Sequence, residues 1–171
     1  DPRISGMYAS ELIVVADGYI VVDNDGTFSV VEDQVAKIGD VTYKLLQEAF
    51  DAAQDGDEIV VLKDIVLTEG ITVAADDNMT LDLNGKTISR NTETATSTAA
   101  ITNNGNLTIK DSSDPSTGKI TAFAANPDTQ AVPYYASNTI TNYGVLTVLG
   151  GTIENSTGDE ARAAFPIDNN S

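Results

Sequence analysis

Aspartates are the side chains whose types and positions in this chain could do chemistry. Two carboxylates that flank a sugar linkage can act as acid and base, and clustered carboxylates bind calcium. The candidates are Asp76, Asp77, Asp82, Asp111 and Asp114. Asp82 lies within a strand-like pattern, whereas the other four lie beside Asn, Ser or Pro, where Asp favours turns. We therefore predict no catalytic site and leave open weak calcium binding by Asp76, Asp77, Asp111 and Asp114.

The composition excludes several other kinds of site. Histidine and cysteine are absent, so Ser-His-Asp triads, zinc sites with His or Cys ligands, and disulfides cannot form. The 26 acidic residues outnumber the 9 basic residues and give a net charge of −17, which disfavours binding to nucleic acid or to anionic lipid. No run of about 18 apolar residues occurs, so we expect no membrane insertion. No cofactor other than calcium is expected.

A repeated phrase organises the second half of the chain. Residues 81–88 read L-D-L-N-G-K-T-I, residues 146–153 read L-T-V-L-G-G-T-I, and residues 107–120 form a related copy with a short insert. The copies at 107–120 and 146–153 follow I-T-N-N-G at 101–105 and I-T-N-Y-G at 140–144, and each copy begins six residues after the first Ile of its phrase. A short unit that recurs every ~20 to 40 residues is typical of a solenoid.

The alternation within these units predicts which side chains are buried. We expect the apolar positions to stack into core columns: Ile59, Val61, Leu81, Leu83, Ile88, Leu107, Ile109, Ile120, Leu146, Val148 and Ile153. Asn103, Asn142 and Asn169 fall at one aligned position. Stacked Asn amides can bond from one repeat to the next, so we predict an Asn ladder rather than a ligand site.

Other patterns divide the chain into three regions. The first, 1–36, contains the strand that closes a repeat, followed by a β-hairpin over 19–31 with its turn at 23–26. The second, 37–57, holds an amphipathic helix over 42–54 that would cap the end of the core. The third, 58–171, holds stacked strands with insertions at 89–99 and 121–138. The second insertion contains Tyr134 and Tyr135, which we consider weak candidates for binding a glycan or a host-surface ligand.

These elements resemble a known superfamily. Y-K-L-L-Q-E-A-F-D-A-A from Tyr43, G-D-E-I-V-V-L-K-D from Gly56 and L-D-L-N-G-K-T-I resemble the capped start of right-handed parallel β-helices of the pectate-lyase-like superfamily. They are similar to repeat modules of secreted and wall-anchored surface proteins of Gram-positive gut bacteria. I-S-G-M-Y from Ile4 resembles the end of such a helix, with Met7 in place of the usual second Gly. The resemblance implies an all-β fold, a right-handed parallel β-helix with an N-terminal hairpin and one capping helix, and an extracellular or cell-surface location.

The two ends of the chain predict an assembly. Residues 167–171, I-D-N-N-S, align with the opening phrase at 101–105, and Ile4, Ser5 and Gly6 resemble the closing piece of a repeat. One interpretation is a segment of a longer repeat protein. The other is head-to-tail association in which each chain completes the split repeat of its neighbour. The assembly ends would then be Ile4, Ser5, Gly6, Ile167, Asp168 and Asn169.

The leading hypothesis is therefore a noncatalytic extracellular module that serves as a structural or adhesive segment of a bacterial surface assembly. A polysaccharide-binding or polysaccharide-degrading β-helix is an alternative, because the fold that the chain resembles hosts lyases and hydrolases as well as spacers. A surface or tail component of a phage virion is a third reading, and the sequence does not separate it from the first.

Overall fold

The fold is mostly β-strand with one helix. The structure is a computed structural model that describes residues 14–16, 19–24, 26–92, 99–124, 138–155 and 165–170. Two compact units are present, residues 1–34 and residues 35–171. Within the described part of the chain, no helix is long and apolar enough to cross a membrane.

The first unit contains the predicted hairpin. Strand β1 (Tyr19–Asn24) pairs antiparallel with β2 (Thr27–Glu32), and Asn24 faces Thr27, so the connection is two residues long. Gly26 has a φ of 87°, and its N–H donates a hydrogen bond of 2.8 Å to Asp23 Oδ1. A short connection of this kind requires a positive φ, which explains the Gly.

The second unit holds the remaining elements. Its first elements are β3 (Ala36–Ile38), β4 (Val41–Tyr43) and α1 (Leu46–Ala52). The strands that follow are β5 (Glu58–Val61), β6 (Ile65–Val66), β7 (Ile71–Val73), β8 (Asn78–Asp82), β9 (Thr87–Thr92), β10 (Ile101–Asn103), β11 (Asn106–Lys110), β12 (Lys119–Ala124), β13 (Ile140–Asn142), β14 (Val145–Val148), β15 (Thr152–Asn155) and β16 (Ile167–Asn169).

From β5 onward the chain visits three sheets in the same order four times. The sheets contain, in order of pairing, β5-β8-β11-β14, β6-β9-β12-β15 and β7-β10-β13-β16, and every pair among these is parallel. We call one visit to each sheet a layer, so the first layer is β5–β7 and the fourth is β14–β16. The repeated phrases align in register, because Ile71, Ile101, Ile140 and Ile167 are consecutive partners in one sheet.

The core lies between the three sheets and confirms most of the predicted columns. The first eight predicted positions, from Ile59 to Ile120, are fully buried. In the fourth layer Leu146 and Ile153 are only partly buried, and Val148 is 43% exposed although its partner Ile109 is 0% exposed. The prediction that Val148 is buried was therefore wrong, because burial of a strand in this stack needs a layer on each side.

The predicted helix was too long at its start. Residues 41–43 form β4, which pairs antiparallel with β3, and the helix begins at Leu46. Val41 and Thr42 are β-branched, and Gly39 has the φ of 55° that a tight turn uses, so a local hairpin competes with the helix here. The predicted apolar face is otherwise present, since Leu46, Ala49 and Phe50 are buried in the core.

The predicted insertions were also too wide. Residues 89–92 continue β9, and residues 121–124 continue β12, so both stretches belong to paired strands. The pairing of β9 with β12 runs in register from Thr87 and Lys119 as far as Thr92 and Ala124. Ladder hydrogen bonds outweigh the polarity of residues 89–92, because one face of a strand can lie outside the core. Ala99 and Asn138 are described, and the rest of each insertion, including Tyr134 and Tyr135, lies outside the described residues.

The gradient of burial leads to a stability prediction. Leu107→Ala should lower the free energy of unfolding by about 2–5 kcal/mol, because the side chain is fully buried and truncation leaves a cavity. Leu146→Ala is the matched control, because it removes the same atoms at the aligned position of the next layer, where the side chain is only partly buried. Urea unfolding should show a clearly smaller loss for the control. Equal losses would contradict the gradient.

Candidate assembly interface

The Asn ladder joins three layers. Asn103 Nδ2 donates to Asn142 Oδ1 at 2.7 Å, and Asn142 Nδ2 donates to Asn169 Oδ1 at 2.7 Å. The same amides also bond to backbone, since Asn103 Nδ2 reaches Val145 O at 3.0 Å. Asn103 is 0% exposed and Asn142 is 4% exposed. The predicted ladder is therefore confirmed, and it satisfies buried amides by linking the second layer to the third and the third to the fourth.

The predicted alignment of the last residues is confirmed. Ile167, Asp168 and Asn169 form β16, which pairs in register with β13 at the position of the I-T-N phrase. Counted from β5, β16 is the third strand of the fourth layer. The completion of a split repeat by a neighbouring chain stays a prediction. Ile4, Ser5 and Gly6 lie outside the described residues.

The outer surface of the fourth layer is apolar and uncovered. We call this surface the open face, and define it by Leu146, Val148, Ile153 and Ile167, whose aligned partners in the third layer are fully buried. Val148 is 43% exposed, Ile167 is 39% exposed, and Leu146 and Ile153 are partly buried. In the ranges that the structure describes, no strand pairs with the outer edges of β14, β15 or β16. Fully burying one such side chain is worth about 1.5–3 kcal/mol, so the open face favours a covering layer.

The backbone of β14 is arranged for a further parallel strand. The N–H groups of Val145 and Leu149 donate to Gly105 O and Ile109 O of the third layer, each at 2.8 Å. Because successive residues of a parallel strand alternate between its two neighbours, the groups of Leu146 and Val148 face away from the third layer. A sheet edge with outward N–H and C=O groups is a template for another strand.

The opposite end of the stack is closed by two devices. In the first sheet, β5 pairs with β3 in antiparallel orientation, so its outer edge is occupied. In the third sheet, Gln47 of α1 takes the place of a strand at the edge of β7. Its Oε1 accepts from the Thr72 N–H at 2.9 Å, and its Nε2 donates to Thr72 O at 3.2 Å. The role of Gln47 is not predictable from the sequence, because a polar residue on a helix carries no signal of its partner.

Asp111 binds the turns of two layers together. Oδ1 accepts hydrogen bonds from the Gly85 N–H at 2.8 Å and from the N–H and hydroxyl of Ser113. Oδ2 accepts from the Gly118 N–H at 2.6 Å and the Ser116 hydroxyl at 2.7 Å. Burial alone would raise the pKa of Asp111, but these hydrogen bonds outweigh it and hold the pKa well below its usual range. The carboxylate therefore organises turns, and its lone pairs are directed at protein donors.

Asp82 is the buried carboxylate, at 3% exposed. Its Oδ1 accepts from the N–H groups of Asn84 and Ser112, each at 2.9 Å, and its Oδ2 lies 3.6 Å from Lys110 Nζ. Lys110 Nζ also contacts Glu58 Oε2 at 2.6 Å. Burial opposes the charge of Asp82, but the hydrogen bonds from Ser112 and Asn84 and the nearby lysine keep its pKa below the ordinary value. The pairing joins the first, second and third layers along one flank.

The other candidate residues lie apart. Asp77 Oδ2 accepts from the Ala74 N–H at 2.8 Å within its own turn, and Asp76 and Asp114 are exposed. Arg90 is 5% exposed and its Nη1 donates to Ala99 O at 3.0 Å, so it secures the chain before β10. Among the described residues, no group of three or more acidic side chains is placed to hold a metal ion.

Asp111 provides a pH-dependent prediction. The pKa of Asp111 is lower in the folded state than in the unfolded state, where it has its ordinary value of about 3.9. The ionised carboxylate therefore stabilises the fold at pH values above about 3.9. This stabilisation is lost as the pH falls through the folded-state pKa. Asp111→Asn should cost about 1.5–3 kcal/mol near neutral pH and should flatten the loss of stability below about pH 4. Urea unfolding across pH would measure both effects. Asp114→Asn, an exposed change in the same turn, is the control, and a similar effect there would argue against the role of Asp111.

The chain matches no family model, no curated protein and no solved structure.

Proposed function

We propose that this chain is a noncatalytic structural module of an extracellular assembly, built as a right-handed parallel β-helix of the pectate-lyase-like kind. The observation that carries the proposal is the fourfold visit to three parallel sheets in one order and one register. Crossovers between parallel strands of one sheet are right-handed in about 98% of cases, which supports that handedness. The capping helix and the antiparallel β3–β4 pair at one end agree with a solenoid that needs a cap.

The use of the polar residues supports a structural role. The Asn ladder, Asp82 and Asp111 each join neighbouring layers, and their oxygens accept from protein donors. A catalytic carboxylate needs a lone pair or a proton directed at a substrate. The described carboxylates with shifted pKa values instead bind backbone N–H groups. Their chemistry is therefore that of a scaffold.

The extracellular location rests on the sequence. The resemblance to secreted and wall-anchored modules supports it. An adhesive role would depend on Tyr134 and Tyr135, which lie outside the described residues, so it stays a prediction. The expectation of weak calcium binding at the acidic turns also stays a prediction.

Spin labels test the architecture directly. The chain has no cysteine, so a double-cysteine variant is labelled only at the chosen sites. Thr72, Thr141 and Asp168 lie at one register position in the first, third and fourth layers. At about 4.8 Å per layer, the Thr72–Thr141 backbone separation should be about 10 Å and the Thr72–Asp168 separation about 14 Å. Electron paramagnetic resonance should show that ordering. Equal or much longer separations would overturn the β-helix.

Two assays test the function. Antibodies raised against the chain should label intact cells of the source organism without permeabilisation, and labelling only after permeabilisation would contradict an extracellular role.

The purified chain should release neither unsaturated nor reducing ends from polygalacturonate, with a pectate lyase as the positive control. Release of such ends by the chain would favour the degrading alternative.

A further inference from the structure

We infer that the open face is a specific acceptor for one more strand–turn–strand segment with this chain's own repeat pattern, added in parallel over β14 and β15. The inference rests on the proposed function and names the partner of that assembly surface. It commits to a segment that forms a new layer, not to the folded end of a second copy.

The pattern of the partner follows from what each buried layer receives. Leu107 and Ile109 of the third layer are fully buried because Leu146 and Val148 lie over them, and Ile120 is buried beneath Ile153. The fourth layer lacks such a cover among the described residues, and Val148 is 43% exposed as a result. A segment with apolar side chains at the three matching positions would restore the burial that the third layer has.

The backbone shows where such a segment would begin. The residue after β10, Asn104, donates its N–H to Val73 O at 3.0 Å, and the residue after β13, Tyr143, donates to Asn103 O at 2.8 Å. Asn170, after β16, repeats this bond to Asn142 O at 2.8 Å. In the second and third layers this bond directs the chain over the first sheet and into β11 or β14. A segment over β14 would therefore start beside Asn170.

The capped end of a second copy does not match these requirements. To dock on the open face, the second copy would have to present three free strand edges that pair in parallel with β14, β15 and β16. At the capped end, β5 is already paired with antiparallel β3, and the edge of β7 is bonded by Gln47. Strand donors must therefore come from a segment that is not already paired.

The experiment appends a copy of residues 145–155, V-L-T-V-L-G-G-T-I-E-N, directly after Ser171 of the full chain. Ser171 aligns with Gly144, so the tether has natural length, and a short tether gives a high effective concentration. The extended chain should unfold at a urea concentration higher by about 0.5–1 M. Amide hydrogen exchange at Leu146 and Val148 should slow, because their N–H groups become bonded.

Two controls make the gain specific. In the first control, Ser replaces the three inward apolar residues of the appended segment, which are the copies of Leu146, Val148 and Ile153. This extension should not raise the urea concentration at which the chain unfolds. On the acceptor side, Val148→Lys should abolish the gain, whereas Thr147→Lys, which adds the same charge on the outer flank of β14, should retain it. Each variant is compared with and without the extension, so its own effect on folding cancels. A gain that survives Val148→Lys, or that the Ser extension reproduces, would overturn the inference.

Light scattering on the unextended chain separates the competing occupant. Concentration-dependent association that Val148→Lys suppresses would mean that a second folded copy covers the open face, which would overturn the inference. Failure of the proposed β-helix module can be distinguished from failure of this inference. In the first case, the spin-label separations would not increase from layer to layer. If those separations hold and the extension adds nothing, only this inference fails.

Discussion

Register between parallel strands is the constraint on which the rest of this structure depends. Because side chains alternate from one face of a strand to the other, a slip of one residue would move each core column to the outside. The observed register stacks Leu107 under Leu146 and Asn103 beside Asn142 at the same time. One alignment therefore serves the apolar core and the buried amides together, and neither could be kept without the other.

Polar bonds between layers make this register specific. Apolar columns of Ile, Leu and Val tolerate exchange of one residue for another, whereas an amide that must donate to the next amide does not. Asp111 adds a second fixed point, because its five hydrogen bonds connect Gly85 of one turn with Gly118 of the next. Space is also limited there, since a Cβ on Gly118 would lie 2.5 Å from the Leu83 Cβ. The turns thus hold the layers at one offset.

The sequence predicted the features that arise from repeated local patterns. Alternation identified the buried columns of the first three layers, and the recurrence of I-T-N identified the Asn ladder, because equal spacing in a stack brings equal residues together. The start of the helix and the width of the insertions were mistaken. Val41 and Thr42 pair with β3, and residues 89–92 continue β9 beside β12. Both outcomes depend on pairing with another strand, which the local pattern of these residues does not record.

The amino-acid sequence by itself determined the mostly β character, the hairpin of the first unit and the residues that repeat from layer to layer. The tertiary structure alone decided that Gln47 and β3 close one end, and that the opposite end exposes Val148 and Ile167. The physical reason is that a repeat specifies its neighbours but not its ends. Whether a strand edge is paired depends on elements brought there by the chain's path in space, and no local pattern records that path.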